Sequence, residues 1–241
     1  MRIYKAFIHQ LLVLLLSVLL LSCAGNRRLT KDVYLNGFDD GEPFTTITAA
    51  DSGQMKIYLI RHAKPDVKKK KVCTSAMAQA YVDAYAKAPI IPFDSSLVVF
   101  NLPDYTTIYC SNLRRAHVTA QAIFGSDCNL LVDAQFREFE TTIVAQQNTL
   151  SLPLLMWQTI SRAAWVMGLN QADVESYKEA RERARQVAIR LALLAEEEQT
   201  VVVVAHGMLN RSVSRWLKQN GWRITQKQGH INIGATVLVK E

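Results

Sequence analysis

The chain has 241 residues and a formal net charge of +7, from 28 Lys and Arg against 21 Asp and Glu. No aromatic–basic repeats or zinc-ligand spacings accompany this excess, so it gives little support to nucleic-acid binding and favours a small anionic substrate. The densest basic run, Lys68–Lys71, is typical of a solvated loop. The alternative is a positive rim that steers anions toward a nearby pocket.

The N-terminus has the pattern of a secretory signal. Arg2 and Lys5 precede a predominantly apolar segment at 11–21, which fits an h-region of about 7–15 residues and is shorter than the roughly 20 residues of a spanning helix. The next residues, "LLSC", resemble the bacterial lipobox, whose cysteine is acylated. We expect residues 1–22 to be a lipoprotein signal peptide and Cys23 to carry the lipid. An ordinary signal peptide or an uncleaved anchor is the alternative.

This interpretation predicts an exported protein that is anchored to a membrane, on the periplasmic side or at the cell surface. Residues 23–54 lack sustained periodicity and are interpreted as a tether that is partly packed on the domain. The remaining 187 residues, 55–241, fit one domain with a sizeable core. An oxidising compartment permits one disulfide, but the sequence does not choose the pair among Cys73, Cys110 and Cys128.

Strand-like runs alternate with helical segments along this domain. The runs lie at 56–60, 106–110, 129–132, 201–205 and 235–239. Helical patterns cover 74–88, 111–125, about 171–197 and the segment from 208 to Gly221. Ser111 is a candidate cap of the second helix, and Glu179 and Arg183 form a candidate ion pair on the third. The pattern predicts an α/β fold with three layers, α/β/α, and a mostly parallel central sheet.

Two of the buried strands end in histidine. "IYLI" is followed by Arg61-His62 and "VVVVA" by His206-Gly207, while the strand "TTIYC" is followed by Ser111 and a helix with Arg114 and Arg115. Ligands of parallel sheets bind beyond the carboxyl ends of the strands. A capped strand end explains each group singly, whereas two histidines and at least two arginines at one sheet edge suit a phosphoryl group.

These residues resemble the motifs of the histidine phosphatase superfamily, also called the phosphoglycerate mutase-like family, over about 55–239. The family's "RHG" is similar to "RHA" at 61–63, its "SSPLxRAxxTA" to "CSNLRRAHVTA", its acidic segment to "FREFE" and its late "HG" to 206–207. "ESY" at 175–177 and "NIGATVLV" lie where the family has a Glu-Ser pair and its last strand. Ala63 and Asn112 replace a glycine and a proline, and the glycines after the acidic segment are missing.

The resemblance implies a phosphoglycerate mutase-like fold and a role for each matched residue. His62 attacks phosphorus and forms a phosphohistidine that water later hydrolyses. Arg61 and Arg115 hold the phosphoryl oxygens, and His206 donates a further hydrogen bond. Glu138 is the candidate general acid. The chemistry favours the same set, because a neutral imidazole is not repelled by a phosphate dianion and guanidinium groups bind its oxygens. Neither a metal nor a cofactor is implied.

The sequence allows alternatives for the proton donor, for the two tryptophans of the lid region and for the function. Glu140 and Asp66 are alternative proton donors. Trp157 and Trp165 lie in a region that forms the family's variable lid, although a core role is favoured. The leading hypothesis is an exported, lipid-anchored phosphomonoesterase that acts on a small phosphorylated substrate without a metal. A non-catalytic phosphate-binding lipoprotein is the alternative, followed by a phosphomutase. Neither the substrate nor the oligomeric state follows from the sequence.

Overall fold

The computed structural model describes residues 45–51, 53–69, 71–140, 142–144, 150–169 and 173–241. The expected signal peptide, Cys23 and the first part of the expected tether therefore lie outside the described residues. None of the helices within the described ranges combines the length and the apolar character needed to cross a membrane.

The described part of the chain forms ten strands and five α-helices. In chain order they are β1 (Thr45–Thr48), β2 (Met55–Arg61), β3 (Val72–Thr74), α1 (Ser75–Lys87), β4 (Val98–Asn101), β5 (Ile108–Ser111), α2 (Arg114–Phe124), β6 (Leu130–Asp133), β7 (Ser151–Pro153), α3 (Leu154–Val166), α4 (Tyr177–Glu198), β8 (Thr200–Ala205), α5 (Gly207–Gln219), β9 (Arg223–Lys227) and β10 (Ala235–Lys240). Short 3₁₀ turns lie at Ser95–Leu97 and Ala134–Phe136.

Six strands form the central sheet, in the order β6-β5-β8-β2-β10-β9. Strands β6, β5, β8 and β2 run parallel to one another, and β10 pairs antiparallel with both β2 and β9. All six residues of β8 are buried. Such a continuous apolar run is expected of a parallel strand that is covered on both faces.

Alternate residues of the central strands pack on opposite layers of helices. Ile57 and Val203 belong to a core cluster that includes residues of α4 and α5. Tyr58 and Val204 belong to a second cluster that includes residues of α2. The sheet is thus enclosed between helices, and the predicted three-layer α/β/α fold with a mostly parallel sheet is confirmed.

Two details of the helices differ from the expectations. The long helix α4 begins at Tyr177, not near residue 171, because Ser176 and Glu179 form a capping box at its start. Glu179 is therefore engaged by the cap, and Arg183 pairs with Glu175. The residue before α2 is Leu113, which makes no side-chain cap; Ser111 ends β5 and accepts a hydrogen bond from the Leu113 N–H.

The last part of the expected tether belongs to the folded domain. Strand β1 pairs parallel with β4, and its Ile47 is fully buried. The two tryptophans of the expected lid region are also core residues. Trp157 and Trp165 are each 4% exposed, and their indole N–H groups donate to the carbonyl oxygens of Cys73 and Glu175. Cys73, Cys110 and Cys128 are free, and the first two are buried.

Candidate active site

The site is built where the parallel strands β2, β5 and β8 end at a common edge of the sheet. Strand β2 ends in Arg61 and is followed by His62, β5 ends in Ser111, and β8 is followed by His206. The ring centroids of the two histidines are 5.0 Å apart. Sequence positions that are more than 140 residues apart are thus brought into direct contact by sheet topology.

His62 presents one unprotonated ring nitrogen. Its Nδ1 lies 2.7 Å from the carbonyl oxygen of Ala63, and because a carbonyl only accepts, Nδ1 carries the proton and Nε2 the lone pair. Arg115 donates from Nε to this Nε2 at 3.2 Å. Burial, reinforced by the Arg115 guanidinium and opposed by the Ala63 carbonyl, lowers the pKa of His62 to about 3. The imidazole is therefore neutral at physiological pH.

Hydrogen bonds to the backbone fix the loop that carries His62. Asn232 donates from Nδ2 to the His62 carbonyl oxygen at 2.9 Å. The Ala63 N–H donates to the Thr119 hydroxyl at 2.9 Å, and this hydroxyl donates to the Arg115 carbonyl oxygen at 2.6 Å. The nucleophile candidate and the arginine that contacts it are thus held in one network.

The Arg61 side chain lies close to Gly207, the residue that follows His206. Its Nη1 donates to the carbonyl oxygen of His230 at 2.5 Å, and its Nε is buried without a hydrogen-bond partner among the described residues. A Cβ at Gly207 would lie 3.4 Å from this Nε. That distance is an ordinary van der Waals contact, so the start of α5 packs directly against the guanidinium.

Arg115 and Arg114 have different environments. The Arg115 side chain is buried, with its guanidinium 5.5 Å from the centre of the Tyr85 ring, and burial lowers its pKa. Arg114 is exposed. The structure brings Arg115 into contact with His62 and leaves Arg114 exposed.

His206 is fully buried beside His62. Its Nε2 lies 2.8 Å from the Ser111 hydroxyl, and its Nδ1 has no hydrogen-bond partner among the described residues. Burial lowers its pKa well below the usual value, and the neighbouring His62, Arg115 and Arg61 act in the same direction. His206 is therefore also neutral.

The three candidate proton donors occupy different positions. Glu138 is partly buried, and its carboxylate accepts hydrogen bonds from the backbone N–H groups of Phe139, Met208 and Leu209, at 3.0, 3.2 and 3.1 Å. It thus caps the N-terminus of α5, directly after His206. Glu140 is exposed and accepts from the Glu175 N–H.

Asp66 is exposed, and its backbone N–H donates to the Pro89 carbonyl oxygen. Glu138 and Arg61 line one cavity of about 290 Å³. Of the three carboxylates, Glu138 is the one that the structure places against the elements carrying Arg61 and His206.

The site also contains residues to which the sequence assigns no function. Asn232 and Tyr85 contact the site histidines and arginines from positions that carry no recognisable local signal, whereas Ser111 and Thr119 belong to the segment "CSNLRRAHVTA". Arg162 is partly buried; its guanidinium lies 4.7 Å from the Trp165 ring, and its Nη1 donates to the Glu140 carbonyl oxygen. No group of three or more His, Cys, Asp or Glu within the described ranges is arranged to hold a metal ion.

The chain is similar to one known protein family. The model of the histidine phosphatase superfamily (branch 1) matches residues 100–239, a range that includes Arg115, Glu138 and His206 and begins after Arg61 and His62. No curated protein sequence matches the chain.

Several solved structures resemble the chain. A phosphoglycerate mutase from Bacillus anthracis has 17% identity and a TM-score of 0.50, over 79% of this chain and 90% of the mutase. A mycobacterial glucosyl-3-phosphoglycerate phosphatase has 19% identity and a TM-score of 0.43, over 77% and 90%. A phosphoserine phosphatase from Entamoeba histolytica has 17% identity and a TM-score of 0.42, over 76% and 89%. The likeness to the mutase shows a shared fold.

Proposed function

Because the chain belongs to the histidine phosphatase superfamily, we propose that it is a metal-independent phosphomonoester hydrolase that forms a phosphohistidine intermediate on His62. Membership of the superfamily supports phosphatase or mutase activity. The observation that carries the finer proposal is the state of His62, a buried neutral imidazole whose unprotonated Nε2 is contacted by Arg115 and lies beside His206.

The first half of the reaction transfers the phosphoryl group to the protein. The Nε2 lone pair of His62 attacks phosphorus while the Ala63 carbonyl holds the Nδ1–H and stabilises the positive charge that forms on the ring. The bond between phosphorus and the ester oxygen breaks, and the leaving oxygen takes a proton from the carboxyl group of Glu138. In the second half, water attacks phosphorus and gives a proton to Glu138, the N–P bond breaks, and phosphate leaves.

The cations of the site act on the phosphoryl oxygens. Transfer of a phosphoryl group from a monoester depends mainly on positioning and charge stabilisation, since the uncatalysed reaction is extremely slow. In this structure, Arg115 donates a hydrogen bond to Nε2 of His62. When a phosphoryl group approaches His62, this N–H of Arg115 would donate to a phosphoryl oxygen instead. Arg61 supplies a second guanidinium, whose buried Nε–H has no hydrogen-bond partner within the described ranges and can donate to a phosphoryl oxygen.

One observation favours a second candidate function, phosphate binding without catalysis. The carboxyl oxygens of Glu138 accept three backbone hydrogen bonds, which hold this group at the N-terminus of α5. A general acid has to reach the leaving oxygen, so Glu138 has to leave this arrangement, at least in part, when substrate binds. If it does not, the pocket binds phosphate but releases no product from esters with poor leaving groups.

The N-terminus supports a further part of the proposal. We infer that the protein is exported and held at a membrane by a lipid on Cys23, with the residues after Cys23 as a tether. The apolar segment at 11–21 and the lipobox-like "LLSC" support this location. The substrate would then be a small phosphorylated molecule outside the cytoplasm.

The test is phosphate release by the full chain, kept in solution with a mild detergent, from a panel of aryl and alkyl phosphate monoesters in excess EDTA. The proposal predicts release of inorganic phosphate without added metal. Release that stops with EDTA and returns with a divalent ion would contradict the metal-free mechanism. Binding of inorganic phosphate without turnover of any monoester would support the binding protein, and phosphoryl transfer within a substrate without release would support a mutase.

A further inference from the structure

The hydroxyl group of Ser111 links the end of β5 to the ring of His206. Ser111 is 0% exposed, and its Oγ lies 2.8 Å from His206 Nε2. The same Oγ accepts a hydrogen bond from the Leu113 N–H at 3.2 Å. This bond is made because the chain turns directly after β5, before α2 begins.

Counting donors and acceptors fixes the direction of the bond between Ser111 and His206. A serine hydroxyl has one proton, and a buried proton needs an acceptor. Leu113 N–H is a donor, so it cannot take this proton. Within the described ranges the remaining partner of the hydroxyl is His206 Nε2. If Nε2 donated instead, the Ser111 proton would be buried without an acceptor, at the cost of an unmade hydrogen bond.

The direction of this bond determines the tautomer of His206. A neutral imidazole carries one proton, so an Nε2 that accepts leaves the proton on Nδ1. This Nδ1 is the buried atom that has no partner among the described residues, on a ring whose centroid lies 5.0 Å from that of His62. With a proton it donates to an anion, whereas with a lone pair it would repel one. The difference therefore matters directly for a phosphoryl ligand.

We propose that Ser111 is a positioning residue that holds His206 in the Nδ1–H tautomer, so that Nδ1–H donates a hydrogen bond to a phosphoryl oxygen on its way to His62. The relay runs from the Leu113 N–H through the Ser111 hydroxyl to the imidazole. The identity of the ligand rests on the proposed function, but the tautomer and the role of Ser111 in setting it do not.

The tautomer is measured by ¹⁵N NMR of the full chain labelled at histidine, in mild detergent, with His206 assigned from the His206→Asn spectrum. The wild-type protein is expected to show a protonated Nδ1 and an unprotonated Nε2, and the Nδ1–H resonance should move when inorganic phosphate is added. Ser111→Ala should shift the proton toward Nε2, and Ser111→Thr, which keeps the hydroxyl, should restore Nδ1–H. A proton on Nε2 in the wild type, or an unchanged tautomer in Ser111→Ala, would overturn the proposal.

Turnover of an aryl phosphate provides the functional readout. Ser111→Ala should lower kcat/KM by roughly 10- to 100-fold, the loss expected for one hydrogen bond to a charged group, and Ser111→Thr should recover most of it. Cys110→Ala is the matched control, since Cys110 is the buried neighbour on β5 and its thiol contacts the Ser111 backbone, not His206. An equal loss in Cys110→Ala would refute the positioning role. A wild-type protein without turnover would refute the proposed function, while the NMR result still decides the role of Ser111.

Discussion

The two histidines of the candidate site are deeply buried and uncharged. His62 and His206 are 2% and 0% exposed, and both are neutral. Two arginines, Arg61 and Arg115, lie close by. Burial favours the neutral ring, and each nearby guanidinium adds to this preference because it repels a second positive charge. The arrangement keeps a lone pair available on His62 and leaves the positive charge to Arg61 and Arg115.

The first prediction is that the free energy of unfolding decreases when the pH falls from 7.5 to 5.5. The folded pKa values of both histidines are lowered, so the unfolded chain takes up protons near its ordinary pKa of 6.5 while the folded chain does not. The stability is thus present above pH 6.5 and is lost as the pH falls toward the folded values. Two such groups should cost about 2–3 kcal/mol over this range.

Denaturant unfolding at the two pH values measures this decrease. The double variant His62→Asn, His206→Asn is the control, because it lacks both imidazoles and should show a much smaller pH dependence. A wild-type stability that is constant between the two pH values would show that the buried rings are not held neutral.

The second prediction concerns Glu138 as the general acid. Glu138→Gln should slow the hydrolysis of alkyl phosphates by about 10²–10⁴-fold, the usual contribution of acid–base catalysis, and largely spare p-nitrophenyl phosphate, whose phenolate leaves with little help. The aryl ester also controls for any disturbance of the α5 N-terminus. A larger difference between the two esters in Glu140→Gln or Asp66→Asn would assign the role to that residue.

Much of the site could be predicted at this scale. Arg61, His62, Arg115 and His206 follow from the ends of apolar strands and from the family motifs, because strand direction alone brings them to one edge. The contact of Ser111 with His206 could not be predicted, since it depends on the orientation of a side chain across two strands. The hydrogen bonds of Glu138 with Met208 and Leu209 could not be predicted from the sequence either. They depend on the contact between Glu138 and the N-terminal N–H groups of α5, which is distant in the chain.

At the level of secondary-structure elements, a buried ion pair connects α4 to the segment that carries Glu138. Both carboxylate oxygens of Glu175 accept from Arg183, at 2.7 Å each, and one also accepts from Arg137 at 3.0 Å. The Nη1 of Arg183 further donates to the carbonyl oxygens of Gln135 and Arg137. The start of α4 therefore fixes the backbone directly before Glu138.

The third prediction is that Glu175→Gln destabilises the protein by about 3–5 kcal/mol, because it leaves the buried Arg183 without its counter-charge. Denaturant unfolding at pH 7.5 measures the change. Glu182→Gln is the matched control; Glu182 lies on α4, as Arg183 does, and pairs with Arg185 at an exposed position, so its loss should have little effect. Similar small effects in the two variants would show that the buried pair contributes nothing specific.

The element boundaries show which signals the sequence carries. The capping box of Ser176 and Glu179 is readable as a Ser-x-x-Glu pattern, so the start of α4 at Tyr177 could have been predicted from it. Helical periodicity alone placed the start earlier because apolar spacing continues upstream of the cap. The choice of Glu175 over Glu179 by Arg183 could not be predicted, since it requires the burial of Arg183 against neighbouring segments.

At the scale of the whole molecule, the parallel strands β2, β5 and β8 bring the residues of the candidate site to one edge of the central sheet. The strand positions and the parallel direction were predictable, because the apolar runs are short, buried and separated by helices. The strand order was not, since crossover rules limit the handedness of connections but not the order itself. Strand β9 could not be predicted from an apolar run, because it is a mostly polar strand at the edge of the sheet, with alternating exposed and partly buried residues.

The fourth prediction concerns the location of the molecule. The intact chain, expressed in a bacterium that processes lipoproteins, should incorporate a radiolabelled fatty acid, and Cys23→Ser should abolish the label. Two or more acyl chains would give stable anchoring, whereas a single chain is marginal. Cys128→Ser should keep the label, because it changes a free cysteine of the folded domain. Label that persists in Cys23→Ser would contradict lipidation at this residue.

The central claim is that His62 carries the phosphoryl group during turnover. The most direct measurement is to mix the full chain with a ³²P-labelled monoester, quench within milliseconds in alkaline denaturant, and map the label by peptide mass spectrometry. The account predicts an acid-labile, base-stable phosphate on the peptide that contains residue 62, present in His206→Asn and absent in His62→Asn. Label on residue 206, or full turnover by His62→Asn, would contradict it.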